Sequence, residues 1–219
     1  MGVNVIEVSG AGVCFGGRDA VRDVSFGVAE GEVCALLGPP GAGKTTLLEI
    51  ASGMRRPTSG RVRVRGADPY EDRAGLRTGA VWREGGLFPG LTVAEVVDTW
   101  RRWTLDPLPG DEALRLVGLG GCEGVPFERL TPCAQRLLDL ALALVGRSDV
   151  LFLDEPSAGL DVASSRHVGS VLRGLAEDGV TILLATRDPY EAWCADRVGI
   201  LDRGRLVPGG DPAWPRRAA

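Results

Sequence analysis

One lysine and one histidine, Lys44 and His167, stand in a chain of 219 residues. The other 24 basic residues, of 25 in all, are arginines, which a coding bias explains without physics. A chain that has lost lysine nearly everywhere keeps it at one place, so that place can be asked for a reason. The five cysteines, Cys14, Cys34, Cys122, Cys133 and Cys194, are odd in number and have no CxxC spacing. That excludes a disulfide framework and a zinc site of the usual kind, and the expectation is reduced, mostly buried thiols. Long apolar runs are missing too. Leu140–Val145 and Val180–Ala185 fall far short of the roughly 20 residues a spanning helix needs. Met1–Ser9 lacks a basic start and Glu7 interrupts its apolar stretch, so no signal peptide is expected and the chain should stay in the cytosol. With 25 basic against 29 acidic residues the net charge is −4, which leaves no basic face for a nucleic acid. There is no internal repeat or low-complexity tract.

What is present is enough for one sizeable core. A chain of this length, 44% apolar, can bury roughly 70% of its unfolded surface. Extended segments are expected at Val5–Val8 and Val21–Val28, and the continuous apolar run Glu32–Leu37 reads as a buried strand. A glycine-rich turn leads into a helix over Gly43–Ser52, stopped by Gly53 and Pro57. Arg61–Arg65 alternates Arg and Val, a half-exposed strand. In Leu91–Trp103, Thr92 and Glu95 form a capping box, and Val93, Val96, Val97, Trp100 and Trp103 recur at helical spacing. Asp106–Gly110 reads as a linker, followed by helices over Asp111–Val117 and Thr131–Val145. Strands at Val150–Leu153, Val180–Ala185 and Val198–Leu201 alternate with helices near Val162–Ala176 and Pro189–Ala195. This alternation predicts an α/β fold with a mainly parallel sheet covered on both faces, closed by a hairpin turn at Asp202–Gly204.

Gly38–Thr46 reads GPPGAGKTT and satisfies the P-loop pattern between a predicted strand and a predicted helix. The glycines let backbone N–H groups approach phosphate, and the helix start adds a favourable dipole. Lys44 would reach the β- and γ-phosphates, and the Thr45 hydroxyl would ligate Mg²⁺. Gly38, Pro39, Pro40, Gly41, Ala42, Gly43, Lys44, Thr45 and Thr46 are thus the candidate phosphate cradle. Val150–Pro156, VLFLDEP, is an apolar strand delivering Asp154 and Glu155 at its carboxyl end, where open α/β sheets place ligands. Asp154 suits Mg²⁺ held through water, and Glu155 suits the general base that prepares an attacking water.

On these motifs the sequence resembles the ATP-binding subunits of ABC transporters, over nearly the whole chain. SAGLD (Ser157–Asp161) matches the family's dimer-contact D-loop, and GLFPGLTVAE (Gly86–Glu95) the segment after its Q-loop that faces the membrane subunit. Phe15, in VCFGG, falls where the family stacks an aromatic on adenine. The resemblance implies a P-loop NTPase core with an N-terminal antiparallel β region over residues 1–86 and 139–219. A helical subdomain, 87–138, is inserted in it. It also implies ATP and Mg²⁺ as cofactors, a transmembrane permease and a second ATP-binding subunit as partners, and a place on the inner face of the cell membrane.

Three motifs depart from the family. Where it has LSGGQ, which caps the γ-phosphate of the opposite subunit, Leu130–Ala134 reads LTPCA. Thr131 is a good N-cap and Pro132 suits the first helical position, so the helix is expected to survive. Pro132 has no N–H for phosphate, and Cys133 adds a Cβ where backbone should approach. Where the family has a switch histidine there is Arg187, which either pairs with phosphate or turns to solvent but cannot exchange protons near neutrality. His167 is expected on the surface. At the Q-loop glutamine stands Arg83, which either points outward or weakens metal binding.

The leading expectation is an ATP-binding subunit with impaired hydrolysis, driving a separate permease of exporter type, and paired with an intact second cassette in preference to itself. The alternatives are a non-hydrolysing pseudo-ATPase completing a heterodimer, and a soluble ABC-type ATPase acting on nucleic acid or ribosomes.

Overall fold

A computed structural model describes residues 4–72 and 75–207; the outer ends of the expected core, 1–3 and 208–219, lie outside the described residues. Three strands carry the site. β3 (Val33–Leu37), β6 (Val150–Asp154) and β7 (Thr181–Thr186) are continuous runs with almost every side chain buried, as strands covered on both faces must be. They belong to a six-stranded sheet of order β5-β6-β7-β3-β8-β9, with β5 at Thr78–Val81, β8 at Arg197–Asp202 and β9 at Arg205–Leu206. All its pairings are parallel except the β8–β9 hairpin. That hairpin turns on Arg203 and Gly204, both at positive φ, as a two-residue turn between strands requires.

A second, antiparallel sheet has the order β2-β1-β4, formed by β1 (Asn4–Phe15), β2 (Arg18–Ala29) and β4 (Ser59–Val64). β1 and β2 are longer than the apolar stretches predicted, because their register shifts repeatedly past Gly10 and Gly12 without ending the pairing. The strand β5 is absent from the sequence reading. Its residues, TGAV, are too small and too few to stand out, and Gly79 is there for another reason. A Cβ on it would lie 2.3 Å from the carbonyl oxygen of Ala143, so the bare backbone lets a helix press directly on the strand.

Helices cover both faces of the parallel sheet. α1 (Lys44–Ala51) lies with the antiparallel sheet on one side, where Phe152, Leu183, Cys34 and Leu36 meet Leu47 and Leu48. On the other side α2 (Val93–Arg102), α3 (Gly110–Leu116), α4 (Pro132–Leu144) and α5 (Val162–Glu177) pack over Leu151, Leu153, Ile182 and Leu184. Alternate residues of one strand thus feed two cores. α6 (Pro189–Trp193) follows β7.

The predicted caps are present: Thr92 and Glu95 make the reciprocal box, and Thr131 accepts from the Ala134 N–H with Pro132 at the first turn. α3 starts at Gly110, one residue into the expected linker. The thiols are not mostly buried. Only Cys34 is, and burial pushes it up to about 12; Cys122 and Cys133 are half-buried, Cys14 and Cys194 exposed.

Candidate functional site

Adjacent strand ends assemble the site. The glycine-rich loop leaves β3, the acidic pair leaves β6 and Arg187 leaves β7, in the order β6-β7-β3, with Asp154 level with Ala185 and Leu37 level with Thr186. Segments 38–46, 154–155 and 187 are remote in sequence and converge because a parallel sheet puts all its carboxyl ends on one edge.

Inside the loop, the Lys44 ammonium donates to the carbonyl oxygens of Gly38 at 2.8 Å and Pro39 at 3.2 Å. Burial lowers its pKa, while Glu155 and Asp154 oppose that shift. Gly43, the N-cap of α1, sits at φ 100° with the Ala20 carbonyl oxygen 2.4 Å from where a Cβ would be, so no other residue fits. Gly41 is also left-handed but faces open space, as do the exposed Pro39 and Pro40, while Ala42 is buried and Thr46 half-buried. The exposed side of the loop is therefore backbone and small side chains at a helix start, a surface suited to an anion.

Thr45 donates its hydroxyl to Asp154 Oδ2 at 2.9 Å. The other oxygen, Asp154 Oδ1, is buried without a hydrogen-bond partner, and burial raises the carboxyl's pKa. A buried, unpartnered carboxylate oxygen beside a hydroxyl is a donor set for a hard cation such as Mg²⁺. The residues present fit that ion.

Glu155 follows at φ 50°, its N–H bonded to the Ala185 carbonyl at 2.8 Å. Its side chain lies between two cations: Oε1 is 3.9 Å from Lys44 Nζ and Oε2 3.6 Å from Arg187 Nε. Arg187, half-exposed, is thus not turned away; it faces the carboxylate. Arg83 is exposed, yet its charge reaches both Lys44 and Asp154, adding to the fall at Lys44 and opposing the rise that burial causes at Asp154. Phe15 is half-exposed at the end of β1, and the Arg55 guanidinium covers its ring at 4.7 Å. His167 is exposed on α5, as expected.

Two groups here were not legible in the sequence. Glu191, on α6, is half-buried with Oε1 unpartnered, and burial raises its pKa against hydrogen bonds from Thr186 and Ser157. Arg136, on α4, is buried and bonded to the backbone of residues 82 and 83. An arginine among 24 carries no signal of its own.

The sequence model described as "ABC transporter" matches residues 21–158. The chain belongs to the ABC transporter family. Among curated ABC relatives, it is 39% identical to the taurine import ATP-binding protein TauB of Pelagibacter ubique over 79% of this chain and 67% of that one. It is 38% identical to the spermidine/putrescine import ATP-binding protein PotA of Rubrobacter xylanophilus, over 91% of this chain and 55% of that one. It is 34% identical to the daunorubicin resistance ATP-binding protein DrrA3 of Streptomyces coeruleorubidus, over 96% of this chain and 69% of that one. The chain spans little more than half the length of the PotA relative. Of solved ABC structures, cbiO1 from Clostridium perfringens, part of the complex cbiONQ, superposes with a TM-score of 0.85 at 26% identity, covering 95% of this chain and 89% of that one. The cassette MJ0796 bound to ADP and Pi has a TM-score of 0.79 at 23% identity over 93% of this chain and 97% of that one, which shows the shared fold. The ABC P-loop fold predicted from the motifs is therefore the fold observed. No helix among the described residues is long and apolar enough to cross a membrane.

Proposed function

We propose that this ABC ATP-binding subunit holds Mg·ATP between the Gly38–Thr46 loop and Asp154, works as a head-to-tail pair of cassettes, and drives a separate membrane permease with slow hydrolysis. The observation that carries it is the bare Asp154 Oδ1 beside Thr45, at the mouth of a loop wrapped round the only lysine. Lys44 would exchange its carbonyl partners for phosphate oxygens, and Thr45 with Asp154 would hold the cation. A bound Mg²⁺ would neutralise charge on the phosphates and polarise them. Glu155 is the carboxylate placed to orient or deprotonate a water. Phe15 is the proposed adenine contact.

In this reading residues 1–86 and 139–219 form the ATP-binding core and 87–138 a helical arm. Permease docking is supported by a groove of about 390 Å³ lined by Gly86, Phe88 and Trp100, with Leu87 82% exposed beside it. The exporter expectation finds a parallel in the daunorubicin-resistance relative, while the other two relatives are named for import. The permease sets the direction, and the proposal concerns the cassette. Fluorescence titration with Mg·ATP tests it: wild type binds and Lys44→Ala loses affinity.

The non-hydrolysing reading is favoured by one specific geometry. Pro132 offers no N–H at the start of α4 and Cys133 adds a Cβ there, so LTPCA is a poor γ-phosphate cap for an opposite subunit. Multiple-turnover phosphate release separates the two readings.

A further inference from the structure

We infer that Arg136 and Asp139 of α4 are positioning residues, which fix the segment Trp82–Gly86 and through it the charge of Arg83 beside Asp154. Arg136 Nη1 donates to the Trp82 carbonyl at 2.9 Å and Nη2 to the Arg83 carbonyl at 2.8 Å. One planar guanidinium spanning two consecutive carbonyls sets both the height and the orientation of that backbone. Asp139 holds the other end, where Oδ1 accepts from the Gly86 N–H at 3.2 Å. The two side chains pair at 3.5 Å and are 8% and 13% exposed, so neither charge is a surface ornament. A Cβ on Gly85 would lie 2.5 Å from Asp139 Oδ2, so the carboxylate sits close against the bare backbone of the segment.

The clamp matters because of what the segment carries. β5 ends at Val81 and nothing in the strand ladder restrains residues 82–86. Val81 lies level with Leu153, so Arg83 follows β5 out of the sheet next to the strand that ends in Asp154, and its charge acts on Asp154 and Lys44. Its distance from the Asp154–Thr45 pair depends on the backbone that Arg136 grips. With the clamp intact, a cationic group is held at a fixed place near the proposed Mg²⁺ site. Released, the segment lets it swing into solvent, and repulsion of the metal falls. This rests on the Mg·ATP reading above.

The test uses the full chain, with Mg²⁺ titrated at constant ATP and nucleotide binding followed by fluorescence. Arg136→Ala, or Arg136→Lys where the alanine variant does not fold, should shift the half-saturating Mg²⁺ concentration downward by about three- to tenfold. In an Arg83→Ala background the same substitution should have little effect, since the two act as one unit. Hydrogen exchange without nucleotide should show faster exchange at the Gly86 amide in Asp139→Ala and across residues 83–86 in Arg136→Ala or Arg136→Lys. Equal shifts with and without Arg83, or unchanged exchange, would overturn the inference. Wild type that binds no Mg·ATP overturns the underlying reading as well, and so differs from a failure confined to the clamp.

Discussion

The Glu155 carboxylate is shared between Lys44, 3.9 Å from Oε1, and Arg187, 3.6 Å from Oε2. Both oxygens of the proposed general base thus face cations, which compete with an attacking water for them. Glu155→Gln should therefore lower phosphate release about a hundredfold or more. Arg187→His together with Arg83→Gln should raise it. A wild-type rate already near about 10 s⁻¹, the median for enzymes, would mean the arginines are no handicap.

Lys44 donates two hydrogen bonds to its own loop and can turn the same donors to phosphate. Since hydrogen bonds to charged groups contribute about 1.5–3 kcal/mol, Lys44→Ala should weaken ATP binding roughly ten- to a hundredfold. Asp154→Asn should leave binding of ATP in EDTA nearly unchanged but remove the gain on adding Mg²⁺. Thermal-shift assays with and without the metal report both, and an Asp154→Asn variant that still responds to Mg²⁺ would take Asp154 out of the cation site.

The β5–α4 contact gives a stability test. Gly79→Ala places a methyl group 2.3 Å from the Ala143 carbonyl oxygen, where backbone cannot give way cheaply. A loss of about 1–3 kcal/mol is expected, as for other overpacked sites, read from the urea midpoint. A neutral result would show that α4 can lift off the strand.

Gly79 also shows where sequence reading stops. GPPGAGKTT and VLFLDEP announce themselves because each combines a pattern with a strand or helix boundary, and the structure puts Lys44, Thr45, Asp154 and Glu155 within one cluster. The caps at Thr92 and Thr131 were equally legible, being local. β5 was not, since four small residues have no periodicity and become a strand only by pairing with β6. Arg136 and Glu191 were hidden for a similar reason: Arg136 reaches Trp82, 54 positions away, and Glu191 reaches Ser157, 34 away, as well as the nearer Thr186, and no local pattern ties them together.

Glu191 predicts a pH dependence. Burial raises its folded-state pKa above the ordinary value of 4.5, against the hydroxyls of Thr186 and Ser157 and with help from the charges of Glu155 and Asp188. Between the ordinary and the raised value the folded chain binds more protons than the unfolded one. The stability it supplies is thus full below the ordinary value and lost as pH rises through the folded one. Glu191→Gln removes this loss, so the Tm difference, variant minus wild type, should grow from pH 5 to pH 8. A difference that shrinks would show the ionised carboxylate to be stabilising.

The last prediction concerns pairing. A head-to-tail dimer gives each ATP the loop of one subunit and the cap of the other. In a homodimer every site would combine LTPCA with Arg83 and Arg187. The local geometry makes the cap hard to rescue, because Pro132 opens α4 without an N–H and Cys133 Sγ leans on the Ser164 carbonyl 3.9 Å away. Restoring an LSGG-like start with Pro132→Gly and Cys133→Gly would free backbone N–H groups. It would also weaken the first turn of α4, with glycine about 1 kcal/mol less favourable than alanine at each helical position. Pairing with a cassette that carries an intact cap divides the defects without that cost. Size-exclusion chromatography of Glu155→Gln with Mg·ATP decides it. The expected result is a monomer alone and a dimer only with a co-expressed second cassette, while the glycine double variant should begin to self-associate. A stable ATP-dependent homodimer of Glu155→Gln, with LTPCA unchanged, would show that Pro132 and Cys133 do not prevent capping.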